Sequence, residues 1–377
     1  MPLPPTASIM AHFADLDAPR VSPATRHRLL DIVAIALCAV LCGADTWVEI
    51  AAFGQAKEAW LRTFLELPHG IPSHDTFGRV FAALDPAQLE QGFRAWVAAL
   101  GALTAGVVAI DGKTLRRSHD RGTGKDALQL VSAWAEANRL VLGQVAVAPG
   151  SHEIPAIPAL LRTLALAGCT VTVDAMGCQT AIATQITTQG ADYVLALKDN
   201  QPTLAAAVAT VFREGHATGF GAAQHDYRRT VEKDHGRREV RRVWTVEDPE
   251  LVAYLDPTGA WPRLRSVAMV VAERRVGEEV SRETRYYLSS LPGEAATMGD
   301  AVRGHWGIEN RLHWVLDIAF REDESRVRQG HADQNLALLR RFALNLLRQE
   351  TTATMGTKAK RLRAGWDDAY LLQLLAS

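Results

Sequence analysis

Two apolar strands in this chain run into an aspartate. In GVVAIDGKTLRRS, residues 107–110 lead to Asp111, and in CTVTVDA residues 171–173 lead to Asp174. Either acid alone reads as a turn residue, and Asp174 also as the N-cap of a helix starting near Met176. As a pair they allow other chemistry. If the strands are neighbours, both carboxylates stand at one sheet edge, and a divalent cation would relieve their repulsion. A third acid lies on GHWGIENRLHWVLDIAF, where Ile308, Leu312, Val315, Leu316 and Ala319 form an apolar stripe. His305, Glu309, His313 and Asp317 follow one another at i, i+4 along its border. Acids on amphipathic helices are mostly solvated, so Glu309 draws its weight from the two aspartates. A zinc reading of His305, Glu309 and His313 fits the spacing, but HExxH is absent and no strong fourth ligand declares itself.

These side chains need a framework, and the pattern supplies one. From about residue 105 the order is strand, strand, strand, helix, strand, helix, strand, which predicts a mixed sheet with helices on its faces. Residues 1–100 read as helical, with a buried helix over 32–41 and Ser73 capping a helix that turns His74, Thr76 and Arg79 outward. Helix-turn-helix and plain helical bundle both fit that pattern. Residues 201–302 are basic and β-rich. Between His225 and Arg242 seven Lys/Arg stand against four Asp/Glu, an excess of three. Helix returns over 303–350, and 351–377 forms a basic tail.

The bulk numbers exclude several classes. The 377 residues suffice for two or three domains, and the formal charge of −1 means that any nucleic-acid surface comes from local segregation of the 41 basic residues. Cys38, Cys42, Cys169 and Cys178 have neither zinc spacing nor a disulfide framework, and read as buried thiols. The start lacks a signal-peptide pattern, and residues 31–44 are too short an apolar run to span a bilayer. A cytoplasmic protein, nucleoid-associated when bound to DNA, is expected.

The stretches IDGKTLRRS, LVSAW, LVLGQVAV, SHEIPAIPALL, VDAMGCQ, IATQI, GADYVLALKDNQ and GHWGIENRLHWVLDIAFRED resemble the H-repeat-associated branch of bacterial insertion-sequence transposases, members of the DDE superfamily. The resemblance runs from about Leu29 to Arg348. It implies a ribonuclease-H-like mixed sheet flanked by helices, a helical N-terminal domain, and a β-rich insertion before the last catalytic helix. It also implies a catalytic and metal-binding triad of Asp111, Asp174 and Glu309, holding Mg²⁺ with Mn²⁺ as substitute. One departure concerns Val302, His305 and Leu316, which stand where related transposases place Tyr, Arg and Lys around the Glu. Asp317, Glu322 and Asp323 are therefore alternatives for the third acid.

The implied reaction is metal-dependent cutting of insertion-sequence ends and strand transfer. Its partners are double-stranded DNA with terminal inverted repeats and a target DNA, bound by a homodimer or larger assembly, with no membrane involved. Lys113, Arg116, Arg117, Lys198, Arg237, Arg238, Arg303, His305 and Asn310 are the candidate DNA contacts. The competing readings are an idle, domesticated DNA-binding protein and a metal-dependent nuclease without strand transfer.

Overall fold

The structure is a computed structural model that describes residues 9–19, 26–101, 105–221, 223–234 and 236–376. The first eight residues, part of the stretch read for a signal peptide, lie outside it. Helices come first: α1 (Leu29–Leu41), α2 (Trp47–Ala56), α3 (Glu58–Leu61), α4 (His74–Ala83) and α5 (Pro86–Ala99). Their starts follow the local chemistry. Thr46 and Glu49 form a reciprocal capping box on α2, Ser73 Oγ accepts from the Thr76 N–H, and Asp85 caps α5 ahead of Pro86.

The sheet begins with β1 (Gly106–Thr114), β2 (Gln129–Ala135) and β3 (Leu140–Ala146). It continues through α6 (Glu153–Leu161), β4 (Cys169–Val173), α7 (Thr180–Thr188) and β5 (Asp192–Leu197). β1 lies mid-sheet, antiparallel to β2 and parallel to β4. That is the ribonuclease-H-like arrangement the resemblance implied.

The basic β-rich segment carries α8 (Pro202–Thr218), β6 (Gln224–Asp234), β7 (Arg237–Glu247), α9 (Pro249–Leu255), β8 (Ser266–Val276) and β9 (Glu279–Ser289). Its strands continue the same sheet, because β9 pairs antiparallel with β5 and extends the order to β3-β2-β1-β4-β5-β9-β8-β7-β6. α10 (Ala295–Gly307) then recrosses the sheet against β1, with a π-helical turn (Ile308–His313) and α11 (Trp314–Phe320) after it.

The chain closes with α12 (Ala332–Gln349), α13 (Thr357–Trp366) and α14 (Asp368–Ala376). α12 packs on α1, α4 and α5 and also on β3. Phe342 on α12 meets Phe13, Phe93 and Trp96 with ring centroids 5.6, 5.6 and 4.3 Å away, so the N-terminal helices and the sheet share one apolar core. In the basic tail, Lys360 and Arg361 are buried. Lys360 donates to the Leu347 carbonyl, and Arg361 to the Val40 carbonyl and Asp45. Their charge is consumed in docking the tail.

Candidate active site

β1 and β4 run in parallel register up to Ile110 opposite Val173, so the next residue on each is Asp111 and Asp174. β4 stops there, whereas β1 goes on pairing with β2 from Asp111 opposite Ser132 to Thr114 opposite Gln129. Asp111 therefore sits within a strand, not at its tip as the apolar run suggested. One neighbour holds its backbone, and on the other side the sheet has just ended. Asp174 closes a turn by accepting from the Gly177 N–H at 3.2 Å; the next helix, α7, starts only at Thr180.

The third acid arrives from above the sheet. Gly304 brings α10 close to β1: a Cβ there would stand 3.0 Å from Val107 Cγ1. The π-helical turn comes immediately after α10 and breaks the i, i+4 string read from the sequence. A π turn inserts one residue and rotates the helix beyond it. His313 is thereby buried, while Glu309 stays exposed. Glu309, Asp111, Asp174, Lys198 and His305 line one cleft of about 320 Å³.

Burial pushes the Asp111 carboxyl up to about 7, and the negative charge of Asp174 adds to this, followed by Glu153 and Glu309. The Gly112 N–H hydrogen bond only partly offsets it. Among the described residues no three His, Cys, Asp or Glu side chains stand close enough to hold one ion directly. Oxygen donors whose repulsion a cation would relieve suit a hard divalent ion, which usually keeps waters beside one or two carboxylates. The donor set fits such an ion.

The two histidines are structural walls. His305 Nδ1 lies 3.0 Å from Thr172 Oγ1, and burial lowers its pKa to about 4. A neutral imidazole meets a phosphate only as an N–H donor, and His305 still lines the cleft. His313 Nδ1 lies 3.4 Å from Asp111 Oδ2, and burial, with Arg341 and Lys113 nearby, lowers its pKa to about 3.

The predicted DNA contacts divide. Lys113, 9% exposed, donates to both Asp317 oxygens at 2.7 Å and nears Asp323, so its ammonium points inward. Arg116 meets Asp323 at 3.2 Å yet is 82% exposed, and Arg117 is exposed. Arg237, Arg303 and Asn310 line a second cleft of about 460 Å³ that shares Glu309 with the first. Arg303 also pairs with Glu232, and Asn310 donates to the Trp306 carbonyl at 2.9 Å. Arg238, next to Arg237 on β7, lies outside that cleft, because successive strand residues point to opposite faces. Asp317, Glu322 and Asp323 are all held by cations: Lys113 takes the first and third, and buried Arg341 takes Glu322 at 2.8 Å.

Sequence reasoning passed over Glu153, the first residue of α6. Its carboxylate lies where a Cβ on Gly112 would be, and it accepts from Gln129 Nε2 at 2.6 Å. Its charge acts on Asp111, and the charge of Asp174 acts on it. The acid in SHEIP was the available signal, but nothing in that stretch shows that α6 starts beside the residue after Asp111.

A mixed sheet with two acids on adjacent parallel strands and a third on the returning helix defines a DDE-type nucleic-acid enzyme fold. Residues 103–346 match the family described as Transposase DDE domain, and residues 10–97 match the one described as DDE_Tnp_1-associated. YncI of Escherichia coli O157:H7, a protein named as a transposase, is 39% identical over 357 residues, covering 93% of this chain and 90% of its own. YhhI of Escherichia coli K12, named as an H repeat-associated transposase, is 35% identical over 373 residues, covering 98% and 97%. A solved piggyBac transposase complex with hairpin DNA overlays with a TM-score of 0.39 at 10% identity, over 97% of this chain and 76% of that one; so low a score does not bear on the assignment. The chain belongs to the DDE transposase family, in the company of H repeat-associated proteins. Among the described residues no helix is long and apolar enough to cross a membrane.

Proposed function

We propose that Asp111, Asp174 and Glu309 form the active centre for Mg²⁺-dependent cutting of insertion-sequence ends and strand transfer, with Mn²⁺ able to replace Mg²⁺. The observation that carries this reading is the register step that sets Asp111 beside Asp174 where β4 ends, in a cleft that Glu309 also lines. Asp111 and Asp174 would hold the ion directly, and Glu309 would reach it through water or after a rotamer change. Such a cation lowers the pKa of an attacking water or 3′-hydroxyl and stabilises the leaving oxygen. Lys113 fixes the end of β1 by gripping Asp317. His305 stays neutral and braces Thr172, one residue before the end of β4. Lys198, Arg237, Arg303 and Asn310 face the clefts where the phosphodiester would lie, and Arg116 and Arg117 flank them.

This reading includes terminal inverted-repeat DNA and target DNA as partners, a homodimer or larger assembly on DNA, and a cytoplasmic site of action on the nucleoid. It assigns 1–100 to a helical DNA-binding unit, 101–200 and 303–350 to the catalytic core, 201–302 to the insertion and 351–377 to the tail. The test is cleavage of terminal-repeat duplex by the full chain. Asp111→Asn, Asp174→Asn and Glu309→Gln should each lower cutting by roughly 10³-fold, a barrier change of several kcal/mol, with binding retained. Undiminished cutting by Glu309→Gln would move the third acid elsewhere. Cutting without joining would leave a nuclease, and binding without cutting an idle protein.

A further inference from the structure

A wide groove among the described residues lies away from the carboxylate cleft, between the N-terminal helices and the loops of the core. It holds about 1340 Å³. One wall is the start of α2 and the outer face of α4, including Trp47, His74 and Arg79; the other is formed by Arg117, Lys125 and residues 326–330. The α4 residues singled out in the sequence as outward-facing thus find a partner surface, except Thr76, which is buried.

The charges in this groove are unevenly satisfied. Four of its five acids are engaged within the protein: Asp45 with Arg361, Glu49 in its capping box, Asp120 with the Gly122 N–H, and Glu324 with Arg321; the fifth, exposed Asp75, lies 3.4 Å from His74. Apart from Arg321, its arginines are not paired with carboxylates among the described residues. Among the described residues Arg79, Arg117 and Arg326 form no ion pair with a carboxylate. Arg79 donates only to the Asp75 carbonyl at 3.2 Å. Arg328 spends its Nε on the Arg117 carbonyl at 3.0 Å.

The floor is stranger. Arg340 on α12 lines the groove while only 1% exposed, and its Nε and Nη2 have no hydrogen-bond partner among the described residues. The charges of Glu322 and Asp45 favour the guanidinium but neither acid bonds those two nitrogens, and an anion would supply the missing acceptor. Its neighbour Arg341 also leaves Nε and Nη2 without a partner among the described residues, but its Nη1 pairs with buried Glu322 at 2.8 Å.

We propose that this groove is a second DNA-binding track, in which the phosphate backbone of duplex DNA lies between α4 and the core, with a phosphate oxygen accepting from Arg340. The N-terminal helices and the catalytic core would then grip one duplex together. Arg117 is six residues along the chain from Asp111, at most about 20 Å of extended chain. At 3.4 Å per base pair, the gripped phosphates lie within about six base pairs of the scissile one. The inference rests on the proposed DNA-cutting activity and adds a site which that activity does not need.

The test uses the full chain and a 30-base-pair duplex of arbitrary sequence, with affinity followed by fluorescence anisotropy across salt concentrations. Each phosphate contact removed lowers the slope of log affinity against log salt by about 0.9. The double variant Arg79→Ala/Arg326→Ala should lose about two such contacts and keep the unfolding temperature of the parent, since both residues are exposed. Arg340→Met should weaken binding without loss of folding. A double variant with an unchanged slope and unchanged temperature overturns the proposal. Asp111→Asn separates the two readings, because it should lose cutting and keep the full slope. A parent chain that binds no DNA overturns both.

Discussion

The carboxylate cleft and the Arg340 groove are electrostatic opposites. In the cleft, burial and the neighbouring carboxylates raise the cost of ionising Asp111 and Glu153. In the groove, Arg79, Arg117 and Arg326 form no ion pair among the described residues, and Arg340 is buried with its Nε and Nη2 unbonded. Each region alone weighs against the free fold, and each is relieved by a ligand of the other sign. In the proposed complexes a cation would answer the first, and a phosphate the second. A protein that joins metal ions to a nucleic-acid backbone can keep both imbalances, because its substrate complex cancels them together.

Arg340 and Arg341 offer the largest way to break that comparison. Arg341→Met strands Glu322, which is 1% exposed, and should cost about 3–5 kcal/mol of stability. Arg340→Met removes a buried charge that burial disfavours and that Glu322 and Asp45 only partly offset, and should leave stability unchanged or raised. Thermal unfolding of the two variants side by side decides it, and a large loss in both would mean that Arg340 has a partner inside the fold.

Asp111 sharpens the cleft side. Its folded pKa near 7 lies above its unfolded value, so the native state favours the protonated form. That preference is fully favourable below about pH 4, is lost as pH rises through 7, and leaves a penalty above it. Asp111→Asn should therefore stabilise the metal-free protein at pH 8 by ~2–4 kcal/mol and do little at pH 4. Millimolar Mg²⁺ should raise the unfolding temperature of the parent at pH 8 more than that of the variant. Equal shifts would show that Asp111 does not feel the ion.

Gly112→Ala is a smaller intervention. The added methyl overlaps the Glu153 carboxylate, so that side chain must swing aside and give up its bond from Gln129, at about 1.5–3 kcal/mol. In a Glu153→Ala background Gly112→Ala should cost much less in denaturant titration. Smallest is Thr172→Val, which removes the hydrogen bond to His305 for about 1 kcal/mol and leaves DNA affinity unchanged.

Much of the fold was legible because it is local. Alternating and continuous apolar runs marked β1 to β5 in order, and Ser73 announced α4. The positions of Asp111 and Asp174 were readable because each comes directly after an apolar strand. Three things were hidden. β1 outlasts its apolar run because β2 goes on pairing with Asp111, Gly112 and Lys113. The π turn carries no signature in GIENRLH, yet it decides that His313 goes inward and Glu309 stays out. Lys113 looks like a surface base in DGKTLRR, but Asp317, 204 residues away, draws it in.

The sequence by itself determined the residue types that meet a cation and a polyanion, and the strand order that brings two acids to one edge, since both arise from patterning within short windows. Tertiary structure alone decided which charges are spent and which remain. It paired Lys113, Lys360 and Arg361 inside the protein, continued the sheet through the insertion, and closed the N-terminal helices over α12. Arg340 was thereby left buried on the floor of a groove with its Nε and Nη2 unbonded. Pairing of charges depends on contacts hundreds of residues apart, and no local pattern carries that information.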